Sequence, residues 1–306
     1  MTSPSCYYSH GKLLITAEYL VLDGAQALAL PTKMGQQLRV TPVKTGEIHW
    51  LSFDRDGAVW IDETFAVSRI LNLQLQSTDS PYLKTLLQIL AAAHRLNPQF
   101  FEQSRGFDVE TQLEFPRIWG LGTSSTVINN IAQWVGVDAF QLLQDAFGGS
   151  GYDIACAQYH SPILYTRTHA GPQIESVVFN PVFSDCLYFV YLNQKQDSKA
   201  GIARYREYSA NRSSQKAEIN ALTQQLLHSN SLEEFECLLE QHEAIIAAII
   251  DMPKVKEVFF PDFTGAVKSL GAWGGDFVLV TAKKNPLAYF SAKGFDVVLP
   301  YREMIL

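Results

Sequence analysis

Pro116-Arg117-Ile118-Trp119-Gly120-Leu121-Gly122-Thr123-Ser124-Ser125-Thr126 is the most telling stretch of this 306-residue chain. Two glycines are followed by four consecutive hydroxyl residues. Val127-Ile128-Asn129-Asn130-Ile131-Ala132-Gln133-Trp134 comes next, with apolar positions at helical spacing. A glycine turn that feeds a helix N-terminus is suited to anions. The glycines let the backbone curl closely, the first helical N–H groups lack partners, and the helix dipole favours negative charge. The hydroxyls can cap the helix, bond phosphate oxygens or ligate magnesium. An ordinary helix N-cap after a turn is the plainer alternative.

Upstream, Phe107, Val109, Thr111, Leu113 and Phe115 alternate with polar residues, as in a half-buried strand running into the loop. Residues 82–96 read as a helix stopped by Asn97-Pro98. Residues 49–53 and 58–61 read as a hairpin around Asp54-Arg55-Asp56-Gly57. Residues 13–15 and 19–22 are strand-like, with Asp23-Gly24 as a turn. Downstream, a helix over 139–146 precedes a second glycine loop, Gly148-Gly149-Ser150-Gly151-Tyr152-Asp153, then a helix to Gln158 and a strand at 162–166.

A second region begins near Pro181. It has a strand at 186–192 and helices at 217–227 and 232–250. Ser231-Leu232-Glu233-Glu234 reads as a capping box. Leu232, Phe235, Leu239, His242, Ile246 and Ile249 form the apolar face of the helix that follows. A third glycine loop, Gly271-Ala272-Trp273-Gly274-Gly275-Asp276, precedes a strand at 277–280. Strands and helices mix without regular βαβ alternation, so the expected class is α+β.

The composition, 47% hydrophobic and 18% charged, is that of a packed globular protein. A net charge of −7 without a basic block argues against nucleic acid or an anionic membrane as partner. Cys6, Cys156, Cys186 and Cys237 lack metal-type spacing. The last three lie in apolar contexts and read as buried thiols of a reducing cytoplasm. The first ten residues show no secretory signal, and no apolar run is long enough to span a bilayer.

No lysine follows the glycines of the opening loop, so it is not a Walker A motif. Gly120-x-Gly122-x-x-Ser125 matches a dinucleotide fingerprint only weakly, because the third glycine and the βαβ setting are missing. Lys12 heads an apolar strand; it is either a solvated strand end or a cation for a phosphate. Asp153 is either an N-cap or a carboxylate that orients an attacking hydroxyl. The seven histidines form no paired ligand motif.

Taken in order, these segments resemble the GHMP kinases, the superfamily of galactokinase, homoserine kinase, mevalonate kinase and phosphomevalonate kinase. Gly11-Lys12-Leu13-Leu14-Ile15-Thr16-Ala17-Glu18-Tyr19-Leu20-Val21-Leu22-Asp23-Gly24, continuing to Pro31, is similar to the N-terminal family segment, with Ala17 where glycine is usual. The opening stretch resembles the P-x-x-x-G-L-G-S-S-A phosphate loop. Gly149-Ser150-Gly151-Tyr152-Asp153-Ile154-Ala155 resembles the loop that presents a catalytic aspartate. Lys268-Ser269-Leu270-Gly271-Ala272-Trp273-Gly274-Gly275-Asp276 resembles the C-terminal glycine segment. In departure from the pattern, Gln141-Leu142-Leu143-Gln144-Asp145-Ala146-Phe147 holds no glutamate for the metal, and Trp273 replaces a small residue and is expected to narrow the nucleotide cleft.

The resemblance implies a two-domain α+β fold, with a domain like ribosomal protein S5 domain 2 over 1–180 and a ferredoxin-like domain over 181–306. It implies ATP, Mg²⁺ and phosphoryl transfer to a hydroxyl or phosphate of a small metabolite, nearest to the mevalonate-pathway kinases. Lys12 and Asp153 would be the catalytic pair. Gly120, Leu121, Gly122, Thr123, Ser124, Ser125, Gly271, Ala272, Gly274 and Gly275 would hold the nucleotide, and Ser124 and Asp145 the metal. Glu18 would be structural or touch the substrate, and Ser150, Gly151, Lys195, Ser198 and Lys199 would serve an anionic or polyol substrate. A cytoplasmic monomer or homodimer is expected. The rival readings are a non-catalytic nucleotide or metabolite sensor and, third, a dinucleotide-binding oxidoreductase.

Overall fold

The computed structural model describes residues 3–194, 198–207 and 212–306. The chain divides into two compact units. The first comprises Met1–Gly11, Met34–Arg117 and Gly122–Gln158; the second comprises Lys12–Lys33, Ile118–Leu121 and Tyr159–Leu306. Two long strands, β1 (Ser5–Leu14) and β2 (Ala27–Pro42), contribute residues to each.

In the first unit β3 (Glu47–Phe53) and β4 (Val59–Ala66) form the expected hairpin. Helices α1 (Ser68–Leu71), α2 (Pro81–Leu96) and α3 (Pro98–Glu102) follow, then β5 (Phe107–Leu113). Helices α4 (Thr123–Val135), α5 (Ala139–Ala146) and α6 (Tyr152–Gln158) complete it. The strand order is β4-β3-β5-β2, and β1 also pairs with β2. β5 lies parallel to β3 and antiparallel to β2. Alternation along β3 and β5 puts Ile48, Trp50 and Val109 into a core with Leu86, Leu87 and Leu90 of α2 and Ile128 and Ile131 of α4.

Ser80 caps α2 by accepting the Leu83 N–H at 3.0 Å, and Pro81 fits the first turn because its missing N–H is not needed there. Eight of the sixteen α2 residues are buried. At roughly 1.5–3 kcal/mol per large apolar side chain, that face outweighs any intrinsic helix preference. Asn97 ends α2 and donates from Nδ2 to the Val135 carbonyl at 2.8 Å, which joins the C-terminal ends of α2 and α4.

In the second unit β6 (Ile163–Thr168) pairs with β7 (Gly171–Ser176) and with residues 27–29 of β2. A separate sheet holds β8 (Leu187–Tyr191), β9 (Val267–Leu270), β10 (Phe277–Thr281) and β11 (Val298–Pro300). Helices α7 (Ser198–Glu207), α8 (Ser213–His228), α9 (Leu232–Ile250) and α10 (Val255–Phe259) lie between β8 and β9 in sequence. Helix α11 (Leu287–Ser291) precedes β11, and α12 (Tyr301–Met304) follows it. The sheet order is β11-β8-β10-β9, antiparallel throughout. The fourth, first, third and second strands thus lie side by side, which is the ferredoxin-like arrangement. β8 and β10 are central and buried along their whole length, which explains their unbroken apolar runs.

Several expectations are corrected. The apolar run at 19–22 is not a strand: Leu20–Asp23 forms a 3₁₀ turn, entered through Ala17 and Tyr19 at φ 66° and 62°. Leu20 and Val21 are buried all the same, and a short apolar run does not reveal which backbone buries it. Of the three cysteines expected inside, Cys156 is buried, Cys186 half-buried and Cys237 exposed. The capping box is half made. Ser231 accepts the Glu234 N–H at 3.2 Å, but Glu234 reaches the Asn230 N–H instead of the Ser231 N–H. On α9, Leu238 and Ile250 are buried and Ile249 only half so. Among the described residues no helix is long and apolar enough to cross a membrane.

Candidate active site

Lys12 stands on β1 with a half-buried side chain. Its Nζ donates to the Gly120 carbonyl at 2.9 Å, and its backbone N–H donates to the Leu121 carbonyl at 2.9 Å. It is not a solvated strand end; two of its bonds go to the glycine loop. Gly120 has φ 67°, and a Cβ there would run into the Asp276 carboxylate. A Cβ on Gly271 would sit 4.0 Å from Lys12 Nζ. The second unit thus gathers Lys12, Gly120, Leu121, Gly271 and Asp276, residues from three sequence motifs. Asp276 carries no role in the sequence reading. The only hint was a carboxylate closing a glycine loop just before a strand.

The loop at 271–276 is tied down by Trp273. Its backbone N–H donates to Tyr19 Oη at 3.1 Å and its indole N–H to the Pro253 carbonyl at 2.9 Å. The ring is buried, so its bulk is taken up by the interior of this unit. Gln194 also donates from Nε2 to the Gly274 carbonyl.

In the first unit α4 starts from Gly122, a left-handed residue at φ 100°, and no side chain caps it. The hydroxyls do not do what capping predicts. Ser125 Oγ donates back to the Gly122 carbonyl at 2.9 Å, and Thr126 Oγ1 donates to Gln36 Oε1 at 2.6 Å. Both are buried, whereas Thr123 is half-buried and Ser124 exposed. The first turn of a thirteen-residue helix is therefore uncapped by side chains, with Thr123 and Ser124 presented beside it.

A buried polar ladder holds α4 in place. Asn130 donates to the Gln36 carbonyl at 3.0 Å and accepts from Ser9 Oγ at 2.7 Å. Asn129 donates to Ser9 Oγ at 2.9 Å and accepts from Gln158 of α6 at 2.9 Å. Periodicity alone reads two helical asparagines as solvent-facing, so nothing in the sequence pattern marked this ladder.

Asp153 lies in the first turn of α6, half-buried, and its Oδ1 accepts the Ile154 N–H at 3.1 Å. An acidic group there is favoured by the helix dipole. Gly151 is buried and Ser150 half-buried just before it. Asp145 is exposed on α5, and its Oδ1 accepts from Gln141 Nε2 at 2.7 Å. Among the described residues no three His, Cys, Asp or Glu side chains converge as a metal site. Magnesium needs less, because it keeps waters and takes phosphate oxygens beside one or two protein oxygens. The exposed Ser124 hydroxyl at an uncapped helix start fits that requirement. Lys195 lies outside the described residues, as do the side chains of Ser198 and Lys199.

Glu18 is fully buried, with Oε1 2.6 Å from Lys268 Nζ. Lys268 also reaches Glu243 Oε1 at 3.3 Å and donates to the Ser269 carbonyl at 2.8 Å. His242 Nε2 accepts the Ala17 N–H at 2.9 Å and faces Glu18 Oε2 at 3.5 Å. Burial pushes the Glu18 carboxyl up, with Lys268 opposing. It pushes Glu243 from 4.5 up to about 7, again with Lys268 opposing and Glu18 adding. Burial holds His242 well below the usual histidine range, so its ring is neutral. Glu18 thus has no exposed surface and is held by Lys268. Nothing local in the sequence marks Glu243 and Lys268, because a charged residue inside an amphipathic helix or at a strand end reads as solvated.

No family model matches the sequence, and no curated protein matches it. Solved structures do. Methanococcus jannaschii mevalonate kinase is 13% identical, with 97% of each chain covered and a TM-score of 0.71. Streptococcus pneumoniae phosphomevalonate kinase in complex with phosphomevalonate and AMPPNP is 16% identical, covering 94% of this chain and 95% of that one, with a TM-score of 0.70. Lactococcus lactis galactokinase complexed with galactose is 12% identical, covering 95% and 89%, with a TM-score of 0.69. The chain therefore has the two-domain α+β fold of the GHMP kinases.

Proposed function

We propose that this protein is an ATP-dependent kinase of a small metabolite, nearest in character to mevalonate and phosphomevalonate kinases. The observation that carries the proposal is Lys12 Nζ bonded at 2.9 Å to the Gly120 carbonyl, two residues before the side-chain-uncapped start of α4. A fixed cation at a glycine loop that opens a helix is what a triphosphate requires. Fold similarity to kinases, one of them described with AMPPNP and phosphomevalonate, supports the same reading.

In this proposal the backbone of residues 120–125 receives the phosphates. Lys12 neutralises charge that builds on the transferred phosphoryl group, and Asp153 accepts a hydrogen bond from the acceptor oxygen and aims it. Ser124 would be the protein's oxygen for Mg²⁺, with Asp145 as the second candidate; the ion would supply positive charge that offsets the phosphates. The loop at 271–275 closes over the nucleotide, and Ser150 and Gly151 with Lys195, Ser198 and Lys199 receive the substrate. The proposed domains are 1–180 and 181–306, in a cytoplasmic protein.

Thermal-shift titration tests the first step, because a ligand of the native state raises the melting temperature. MgATP is expected to raise it and NAD(P)H to leave it unchanged. The reverse pattern overturns the proposal. MgATP binding with no turnover on any acceptor assigns the protein to a sensor.

A further inference from the structure

We propose that Lys268, gripped by Glu18 and Glu243, is a positioning residue that holds the 271–276 loop beside the Lys12 ammonium. The role assigned to that loop rests on the kinase reading; the grip itself does not. Lys268 has no exposed surface, and an ammonium is buried at heavy cost unless several acceptors surround it. Three do, and they come from separate segments. Glu18 follows the Lys12 strand at 2.6 Å, Glu243 belongs to α9 at 3.3 Å, and the Ser269 carbonyl of β9 lies at 2.8 Å.

Neighbouring bonds tighten the same junction. The Ser269 N–H donates to Glu243 Oε1 at 3.1 Å, the Ala17 N–H to His242 Nε2 at 2.9 Å, and the Trp273 N–H to Tyr19 Oη at 3.1 Å. Residues 17–19 and the N-terminal flank of the loop are thereby fixed to α9, and Trp273 within the loop to Tyr19. Gly271, three residues beyond Lys268, is close enough to Lys12 that a Cβ on it would sit 4.0 Å from Lys12 Nζ. Well-packed apolar side chains would stabilise this interior as well as an ion cluster does. What a directed cluster adds is one geometry, set by a few short polar contacts.

The cluster is also unbalanced. Two carboxylates face one ammonium and a neutral imidazole, so ionising both leaves one net negative charge inside. A proton on Glu243 removes it, which agrees with that carboxyl being pushed up to about 7. Glu243 also borders a surface hollow of about 350 Å³ lined by Glu240, Lys254, Lys256 and Glu257. The charged groups that act on Glu243 are thus Lys268 and Glu18 inside, with His242 on the far side of Glu18, and the four side chains share the hollow that Glu243 borders. Above neutral pH the grip on the loop is expected to change as this proton leaves.

Hydrogen exchange of the ligand-free protein tests the grip, with MgAMPPNP affinity measured alongside. Lys268→Met is expected to speed exchange at residues 270–276 at least tenfold, with β8 and β10 still protected, and to weaken MgAMPPNP at least tenfold. Wild-type loop exchange in a folded Lys268→Met protein overturns the proposal, and so does equal acceleration across β8 and β10. If Lys268→Met does not fold, Glu243→Gln decides. Corrected for intrinsic exchange, loop protection in the wild type is expected to change between pH 6 and 8 and to stay flat in Glu243→Gln. Superimposable profiles overturn the proposal. A wild type that binds no MgAMPPNP ends the kinase reading, while the loop exchange still decides the positioning.

Discussion

The carboxylate of Asp276 occupies the space into which a side chain at Gly120 would grow. The two residues are 156 positions apart, and their contact seats the end of one glycine motif on the start of another. Gly120→Ala faces both this clash and a φ of 67°, and is expected to cost about 2 kcal/mol or more. Asp276→Ala in the same chain removes the clash and leaves the backbone strain. Urea unfolding of both single variants and the double variant is expected to give a non-additivity of about 1 kcal/mol. Additive losses would mean that the two residues do not meet.

Ala17 has φ 66° and no exposure, at a position where the family pattern carries glycine. Ala17→Gly relieves strain of about 1 kcal/mol but removes a buried methyl worth about 0.8 kcal/mol, so the two nearly cancel. Ala17→Val adds a β-branch to a left-handed residue in a filled site and is expected to cost more than about 2 kcal/mol. Unfolding midpoints in the order Ala and Gly together, Val far below, are the expected result.

Glu243 gives stability a pH dependence. Its carboxyl is raised in the folded protein from 4.5 to about 7. The protonated form is therefore favoured by folding. The contribution is complete below about 4.5 and lost as pH rises through about 7. Melting temperature is expected to fall between pH 5 and 8, and Glu243→Gln to flatten that fall. An unaltered slope in Glu243→Gln would place the pH sensitivity elsewhere.

Ser124 is exposed and forms no helix cap, so Ser124→Ala should leave the melting temperature within about 1 °C, as surface changes of less than ~0.5 kcal/mol do. If Ser124 supplies the magnesium oxygen, the Mg²⁺ concentration for half-maximal ADP release rises severalfold. No change in that concentration would remove Ser124 from the metal.

Much of the fold was legible. The hairpin at 47–66, the helix that starts at Pro81, the buried strands at 187–191 and 277–281 and the long helix after Ser231 all carry strong local patterns. Lys12 and the glycine loops stand out as motifs, and the structure bonds Lys12 to Gly120 and brings it near Gly271. What periodicity missed is polar and internal. Asn129 and Asn130 look like the outer face of a helix until Ser9, Gln36 and Gln158 are placed beside them. Lys268 and Glu243 look solvated until three distant segments meet around them. The 3₁₀ turn after Tyr19 was hidden because left-handed backbone at Ala17 and Tyr19 has no signature in non-glycine residues.

The central claim is that Lys12 and Asp153 drive phosphoryl transfer from ATP to a small metabolite. A coupled ADP-release assay over mevalonate, phosphomevalonate, homoserine and galactose, run on the wild type, Lys12→Met and Asp153→Ala, tests it most directly. The account predicts acceptor-dependent turnover by the wild type and a loss of at least about 100-fold in kcat for each variant that still melts cooperatively. Variants that turn over the same acceptor as fast as the wild type, or a wild type that binds MgATP and phosphorylates none of these acceptors, would contradict it.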